Sequence, residues 1–404
     1  MPKMKRDKET AVTKSFHALK ALVFSTVLVL GSAACKPGAN AQPGEVNFEI
    51  ETVSEGFNRP WGMTFLPGDG RLLVTERPGT LKLVDPQSGE ASLISGVPEV
   101  HAQGQGGLLD VAVHPEFARE PWVYLTWAGG GDGGSATFLG RGLLDLAARA
   151  LSNFEVLHVA GPFAASNAHY GSRIVFDQRG YLYMTVGDRN DKNWADHPSQ
   201  DLTVYHGKTL RFHADGSIPN DNPFVGDPEA LDAIYSYGHR NSQGMAVHPD
   251  TGEIWQNEHG EFNGDEINVI RAGGNYGWPI ATYAVDYRTR QRFAPTPPEV
   301  PGTIAPVYWW EADHPEGFPP SGFAFYEGDA FPAWRGHALM GNLAHRYLGL
   351  FAIDGRTHEV AQVGRLLDGR GWRIRDVAVG PEDGFVYVLI DGDNVPLIRL
   401  RPAE

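Results

Sequence analysis

One pattern recurs along this chain: an apolar-alternating run, a tight turn of Pro, Asp or Gly, then a second apolar run. It appears as MTFLPGDGRLLVTE from Met63, DVAVHPEFAREPWVYLTW from Asp110, RIVFDQRGYLYMTV from Arg173, MAVHPDTGEIWQNE from Met245, FAFYEGDAFPAWRGHALMG from Phe323 and VAVGPEDGFVYVLI from Val377. Period-two alternation rich in aromatic and β-branched residues, broken by Pro-Asp/Glu or Asp-Gly turns, predicts a hairpin at each place. Six such units, about 45 to 80 residues apart, are too many for one sandwich. They suit an all-β fold, a six-bladed β-propeller, with one hairpin at the middle of each blade; an ordinary sandwich with chance similarity among strands is the competing reading. Ring closure predicts that 46–53 pairs with 395–401. Residues 143–151 read as a short helix or an irregular excursion, and 129–134 as a glycine-rich loop. With no following helix or Lys-Ser/Thr, that loop is not a phosphate loop.

The folded domain is assigned to 46–404. Before it, Lys3, Lys5, Arg6, Lys8, Lys14 and Lys20 precede the apolar run 21–30 and small residues up to Ala34, the pattern of an export signal over 1–34. Residues 35–45 read as a flexible tether. The only cysteine, Cys35, stands where a bacterial lipoprotein signal would be cut, although Ser32 occupies a position where such signals prefer Leu. Ala39-Asn40-Ala41 offers an ordinary cleavage site instead. The expectation is an exported protein, either periplasmic or anchored to a membrane as a lipoprotein. With no cysteine in the folded part, neither disulfides nor thiolate metal sites hold it together. Net charge is −15 for the whole chain and −19 without the first 34 residues, which hold six basic and two acidic side chains. Such a surface argues against a nucleic-acid partner.

In a propeller, loops at one end converge on the central channel, so candidate residues are polar groups at equivalent edges of different repeats. Arg240-Asn241, just before the fourth repeat, could clamp a carboxylate through the guanidinium fork and the neighbouring amide, or form a structural salt bridge between blades. Arg373 and Arg375 lie at the equivalent place of the sixth repeat, and alternation sets both on one side of the strand. Two repeats presenting Arg at one edge suggest a small polyanionic ligand. Between Glu258 and Glu266 four carboxylates and two glycines fall within nine residues, a composition that suits calcium, which takes oxygen ligands, or simply a solvated acidic loop. His169 enters the third repeat and could act as a base near neutral pH, or be structural. Asp188 could orient a histidine or cap a turn, and Gln105 occupies a comparable loop. No HExxH, paired-Cys or G-x-S-x-G pattern is present.

Taken together, RPWGMTFLP, GQGGLLDVAVHP, HYGSRIVFDQRGYLYMTVGDRND, QDLTVYHGKTLRFHADGSIPNDNPF, SYGHRNSQGMA, EHGEFNGDEINVI, GGNYGWP and RIRDVAVGP resemble, in order and from about Gly56 to Leu400, the soluble sugar dehydrogenases dependent on pyrroloquinoline quinone (PQQ). The likeness is to the aldose sugar dehydrogenase branch of the glucose/sorbosone dehydrogenase group. It implies a six-bladed propeller holding PQQ, a flat ortho-quinone bearing carboxylates, in its channel. Arg240, Asn241, Arg373 and Arg375 would hold that cofactor, with Gln105 near the quinone and Tyr287 lining the site. The carbonyls of Gly260 and Glu261 would bind the Ca2+ that sits on PQQ, and Glu266 with the Tyr276 carbonyl a further Ca2+. His169, supported by Asp188, would remove the proton from the anomeric hydroxyl of an aldose. The product would be a lactone, the electrons passing to an external acceptor of quinone or cytochrome type.

Two positions depart from that pattern. Glu261 stands where the family often has Pro, and Ala344 falls where better-known members carry a Lys near the quinone. Either His345 or Arg346 compensates for that lysine, or PQQ binds more weakly. Two other functions compete with the dehydrogenase: a cofactor-free propeller that binds carbohydrate or protein, and a metal-dependent lactone hydrolase.

Overall fold

A computed structural model describes residues 46–311 and 317–403. The export signal, the tether and Cys35 lie outside them. The described chain forms six antiparallel four-stranded sheets, the blades of a propeller. Blades one to five are runs of consecutive strands over 60–94, 108–164, 174–237, 242–309 and 320–366. Blade six joins Ile374–Val379, Val386–Ile390 and Val395–Pro402 to the N-terminal strand Phe48–Phe57 on its outer edge. Phe48 lies opposite Pro402 and Phe57 opposite Val395, so the two ends of the described chain close the ring as expected.

The repeated hairpins form the first and second strands of each blade, not its middle. First strands of successive blades touch one another all the way around and line the axis. The second strand is buried on both faces, so it is apolar on both sides where it enters the blade, with buried polar residues such as Thr75, Glu76, Thr185 and Gln256 to Glu258 further along. In blade two, Val123, Leu125 and Trp127 pack against blade one's Leu73 and Leu81, while Tyr124 between them packs against Ile174, Leu182 and Met184 of blade three. Each such buried aliphatic or aromatic side chain contributes about 1.5–3 kcal/mol. Near the end of the second strand a polar side chain bonds across to the next blade. Thr126 Oγ1 donates to Ser172 O (2.8 Å), Thr185 Oγ1 to Ser242 O (3.0 Å) and Asn257 Nδ2 to Ser321 O (2.9 Å), with Thr75 bonded likewise to Leu109 O.

Two local expectations are corrected. Residues 143–151 are neither a helix nor irregular: Leu144 and Leu151 are buried partners in the hairpin joining strands Gly134–Asp145 and Ala150–Ala164. Gly129 to Gly131 end a strand and Gly131 pairs with Gly134, so the glycine-rich segment is a hairpin tip. Its glycines make room for aromatic rings, since a Cβ at Gly129 or Gly131 would lie 2.4 Å from Phe138 or Phe163. Among the described residues there is no α-helix.

The first strands of five blades carry a register break near their start, between Pro60 and Met63, Leu108 and Val111, Ser242 and Gly244, Pro320 and Phe323, and Ile374 and Asp376. A bulge frees a residue from the pleat and re-aims its side chain. It falls where the chain enters the ring, the end to which the loops between second and third strands also return. Residues 169, 240–241 and 373–375 thus meet 188–192 and 258–266. At the other mouth of the channel a cavity of about 540 Å³ is lined mainly by apolar side chains such as Met63, Met245 and Phe323, and holds none of the candidate residues.

Candidate active site at the channel mouth

His169 and Asp188 come together: Nδ1 lies 2.7 Å from Asp188 Oδ1. The carboxylate is itself fixed, Oδ1 accepting from Asn190 N (2.8 Å) and Oδ2 from the Trp278 indole (2.9 Å). Burial opposes ionisation of Asp188, but the charge and hydrogen bond of His169, with Arg240 and His197, outweigh it and hold the carboxyl well below its usual value. Burial and then the Arg240 charge lower the His169 pKa, with Asp188 offsetting only part. The imidazole is therefore neutral at neutral pH, with its Nδ1 proton on the Asp188 side. Its Nε2 is left as an acceptor that bonds to nothing among the described residues.

The backbone under this dyad is unusual. His169 has φ of +51°, a left-handed conformation that costs free energy for a residue with a side chain. Gln105 Oε1 accepts from His169 N (2.8 Å), and a Cβ on Gly187 would sit 2.2 Å from His169 O. Arg189 stacks its guanidinium 3.6 Å from the Tyr170 ring centroid and donates to Ala168 O (3.1 Å). Gln105 is exposed and touches the His169 backbone, so its observed contact is one of support.

Arg240, Arg373 and Arg375 reach the same mouth. Arg375 is the bulged residue of blade six and bonds through Nη1 to Oε1 of Gln243, the bulged residue of blade four (2.8 Å). Arg373 and Arg375 share Asp391 Oδ2, at 2.8 and 3.5 Å, so they face one way because of the bulge and not through simple alternation. Asn241 is buried and accepts from Gly171 N (3.2 Å). The Nε–H groups of Arg240 and Arg375 are buried and have no acceptor among the described residues. Since buried donors are nearly always paired, a ligand bearing carboxylates fits here.

The side chain of Glu261, not only its carbonyl, enters the site. Its buried Oε2 accepts from Arg240 Nη2 (2.7 Å) and Lys192 Nζ (2.5 Å), joining the loops of blades three and four. Gly260, Glu266 and Tyr276 line a small cavity of about 10 Å³, shared with Glu258, which has room for about one water-sized occupant. Burial, then the neighbouring Glu258, pushes the Glu266 carboxyl well above its usual value. Two buried carboxyl groups on one small cavity suit a cation with oxygen ligands. Tyr287 is 54% exposed and meets the Phe262 ring edge-on at 5.6 Å, at the rim. Ala344 is exposed, as is Arg346, while His345 is half-buried with its N–H on Asn342 Oδ1 (2.8 Å).

Several contributors escaped the sequence reading. Trp278 stood in the GGNYGWP motif without a role, and Glu258 was counted only as a carboxylate. Lys192 and Arg77 carried no signal, although Arg77 lies in the equivalent loop of blade one, half-buried and within the field of Arg375.

The sequence profile described as "Glucose / Sorbosone dehydrogenase" matches residues 57–399. Over 365 residues, 90% of this chain and 95% of the relative, the chain is 39% identical to aldose sugar dehydrogenase YliI of Escherichia coli. Among solved structures it is similar to the apo-form soluble aldose sugar dehydrogenase from Escherichia coli, at 37% identity and a TM-score of 0.81, covering 88% of this chain and all of that one. It is also similar to the PQQ-bound form of an aldose sugar dehydrogenase from Streptomyces coelicolor, at 29% identity and a TM-score of 0.71, covering 89% and 99%.

Proposed function

We propose, because this chain belongs to the glucose/sorbosone dehydrogenase family, that it is a PQQ- and Ca2+-dependent enzyme oxidising aldoses at the anomeric carbon to lactones and passing the electrons to an external acceptor. The observation that carries the reading is a neutral, carboxylate-braced His169 at the same channel mouth as buried arginine donors that lack acceptors among the described residues. Arg240, Arg375, Arg373 and Asn241 would hold the cofactor's carboxylates. The carbonyls of Gly260 and Glu261 would face one calcium, and Glu266 and Tyr276 a second. When bound, PQQ supplies the hydride acceptor and calcium the Lewis acid that favours it. His169 Nε2 takes the proton from the anomeric hydroxyl, and Asp188 stabilises the imidazolium that results. Trp278 and Asn190 keep Asp188 from turning away. The charged N-terminal segment and Cys35 support an exported protein, periplasmic or held by a lipid anchor.

Purified protein given PQQ and Ca2+ should reduce a redox dye with aldoses and form the lactone; no reduction with a broad panel of sugars would overturn the reading. A separate prediction concerns Glu266. Calcium at about a hundredfold over its Kd should raise Tm by roughly 3 °C, and Glu266→Gln should lose most of that rise in a thermal melt without PQQ.

A further inference from the structure

We propose that the loop from Asp286 to Arg292, at the rim of the site, is the docking surface for an acidic one-electron carrier protein that reoxidises the enzyme. This rests on the dehydrogenase reading above. The loop is a built turn: Asp286 Oδ1 accepts from Arg288 N (2.9 Å) and Thr289 N (2.8 Å), and its backbone closes with Arg290 N on Asp286 O (2.9 Å) and Asp286 N on Gln291 O (3.0 Å). It presents Arg288, Arg290 and Arg292, all exposed. None of the three is in an ion pair among the described residues. The one carboxylate of the loop, Asp286, accepts from backbone N–H groups and keeps its charge in the field of Arg288, which leaves the loop with two net positive charges. Three like charges on alternate residues repel one another. They stand on a chain whose net charge without its first 34 residues is −19, so the loop is a local positive pole beside the channel.

Position links that pole to the chemistry. Val285, just before the loop, pairs with Phe262, the neighbour of Glu261. The Arg290 guanidinium lies 3.3 Å from the Phe262 ring centroid and 6.0 Å from that of Tyr287. Tyr287 in turn lies within the fields of Arg240 and Glu261. A partner seated on the arginines is thus one layer of side chains from the site. Each aldose oxidised to its lactone releases two electrons and two protons. Two molecules of a one-electron carrier take the electrons in turn, and the protons leave to water. An acidic face on the carrier complements the loop, and such complementarity raises association rates by about 10 to 10³ at low salt.

The test compares two carriers of opposite charge as electron acceptors for the PQQ- and calcium-loaded enzyme: plastocyanin, an acidic blue-copper protein, and mitochondrial cytochrome c, a basic haem protein. Wild type should reduce plastocyanin with a kcat/KM that falls steeply as salt rises. The double variant Arg288→Glu, Arg292→Glu, which leaves Arg290 on its aromatic ring, should lose about tenfold or more of that kcat/KM and gain with cytochrome c, while turnover with a small neutral dye and the circular dichroism stay as in wild type. An unchanged plastocyanin kcat/KM in the variant, or a wild-type preference for cytochrome c, overturns the inference. Dye turnover without reduction of either protein overturns it alone. Failure with the dye as well overturns the dehydrogenase reading and the inference with it.

Discussion

Replacing His169 with Ala should lower kcat by about 10² to 10⁴, the range in which a positioned general base contributes, while PQQ still binds with its absorbance intact. The two readouts separate because His169 touches Asp188 through Nδ1 and the cofactor clamp only through space. Removing the imidazole leaves Arg240, Arg373 and Arg375 with their partners unchanged. The pH profile supplies the sign. The base works while neutral, and its pKa is held below the ordinary imidazole value by burial and Arg240. Activity should therefore be level through neutral pH and fall only on the acid side, as pH drops through that lowered value. Asp188→Asn removes the negative charge that offsets part of the shift, so kcat should drop and the acid limb move lower still. Loss of bound PQQ in His169→Ala, or an activity loss that begins above the ordinary imidazole value, would show that His169 is not the base.

The ring was legible in the chain because each hairpin joins two apolar-alternating runs and its turn must carry Pro, Asp or Gly. Those two constraints repeat six times, and the pairing of 48–57 with 395–402 follows from the need to close the ring by joining both ends of the described chain in one blade. What the pattern could not show is which pair of strands the hairpin supplies. Inner and middle positions are both buried, so the alternation is the same. Glycine misled for a related reason: Gly129 and Gly131 look like loop residues, yet each sits under an aromatic ring. Arg240, Arg375 and His169 could be singled out because they fall at the entry to a repeat. Trp278 could not, since its indole reaches Asp188 across 90 residues. Likewise the Glu261 carboxylate acquires meaning only when Lys192, 69 residues earlier, arrives beside it.

Arg240→Leu should have the other large effect, and two consequences must be told apart. The guanidinium is buried, pairs with buried Glu261 and lies 5.2 Å from the Trp278 ring centroid. Removing one partner of a buried pair costs about 3–5 kcal/mol, mainly through the charge left behind. Here the cost should sit at the lower end, because Lys192, with a side chain 45% exposed, still reaches Glu261. Separately, losing the fork should weaken PQQ binding by about a hundredfold or more, the worth of roughly two charge-assisted hydrogen bonds. The double variant Arg240→Leu, Glu261→Gln distinguishes the effects. With no orphaned carboxylate it should recover most of the stability in a urea titration, yet its PQQ affinity, read by equilibrium dialysis, should stay low. Glu261→Gln alone should bind PQQ more tightly than wild type, because Arg240 no longer divides its fork between an internal carboxylate and an external one. If the single Glu261 variant instead binds PQQ more weakly, its carboxylate is part of the cofactor site and not a competitor for Arg240.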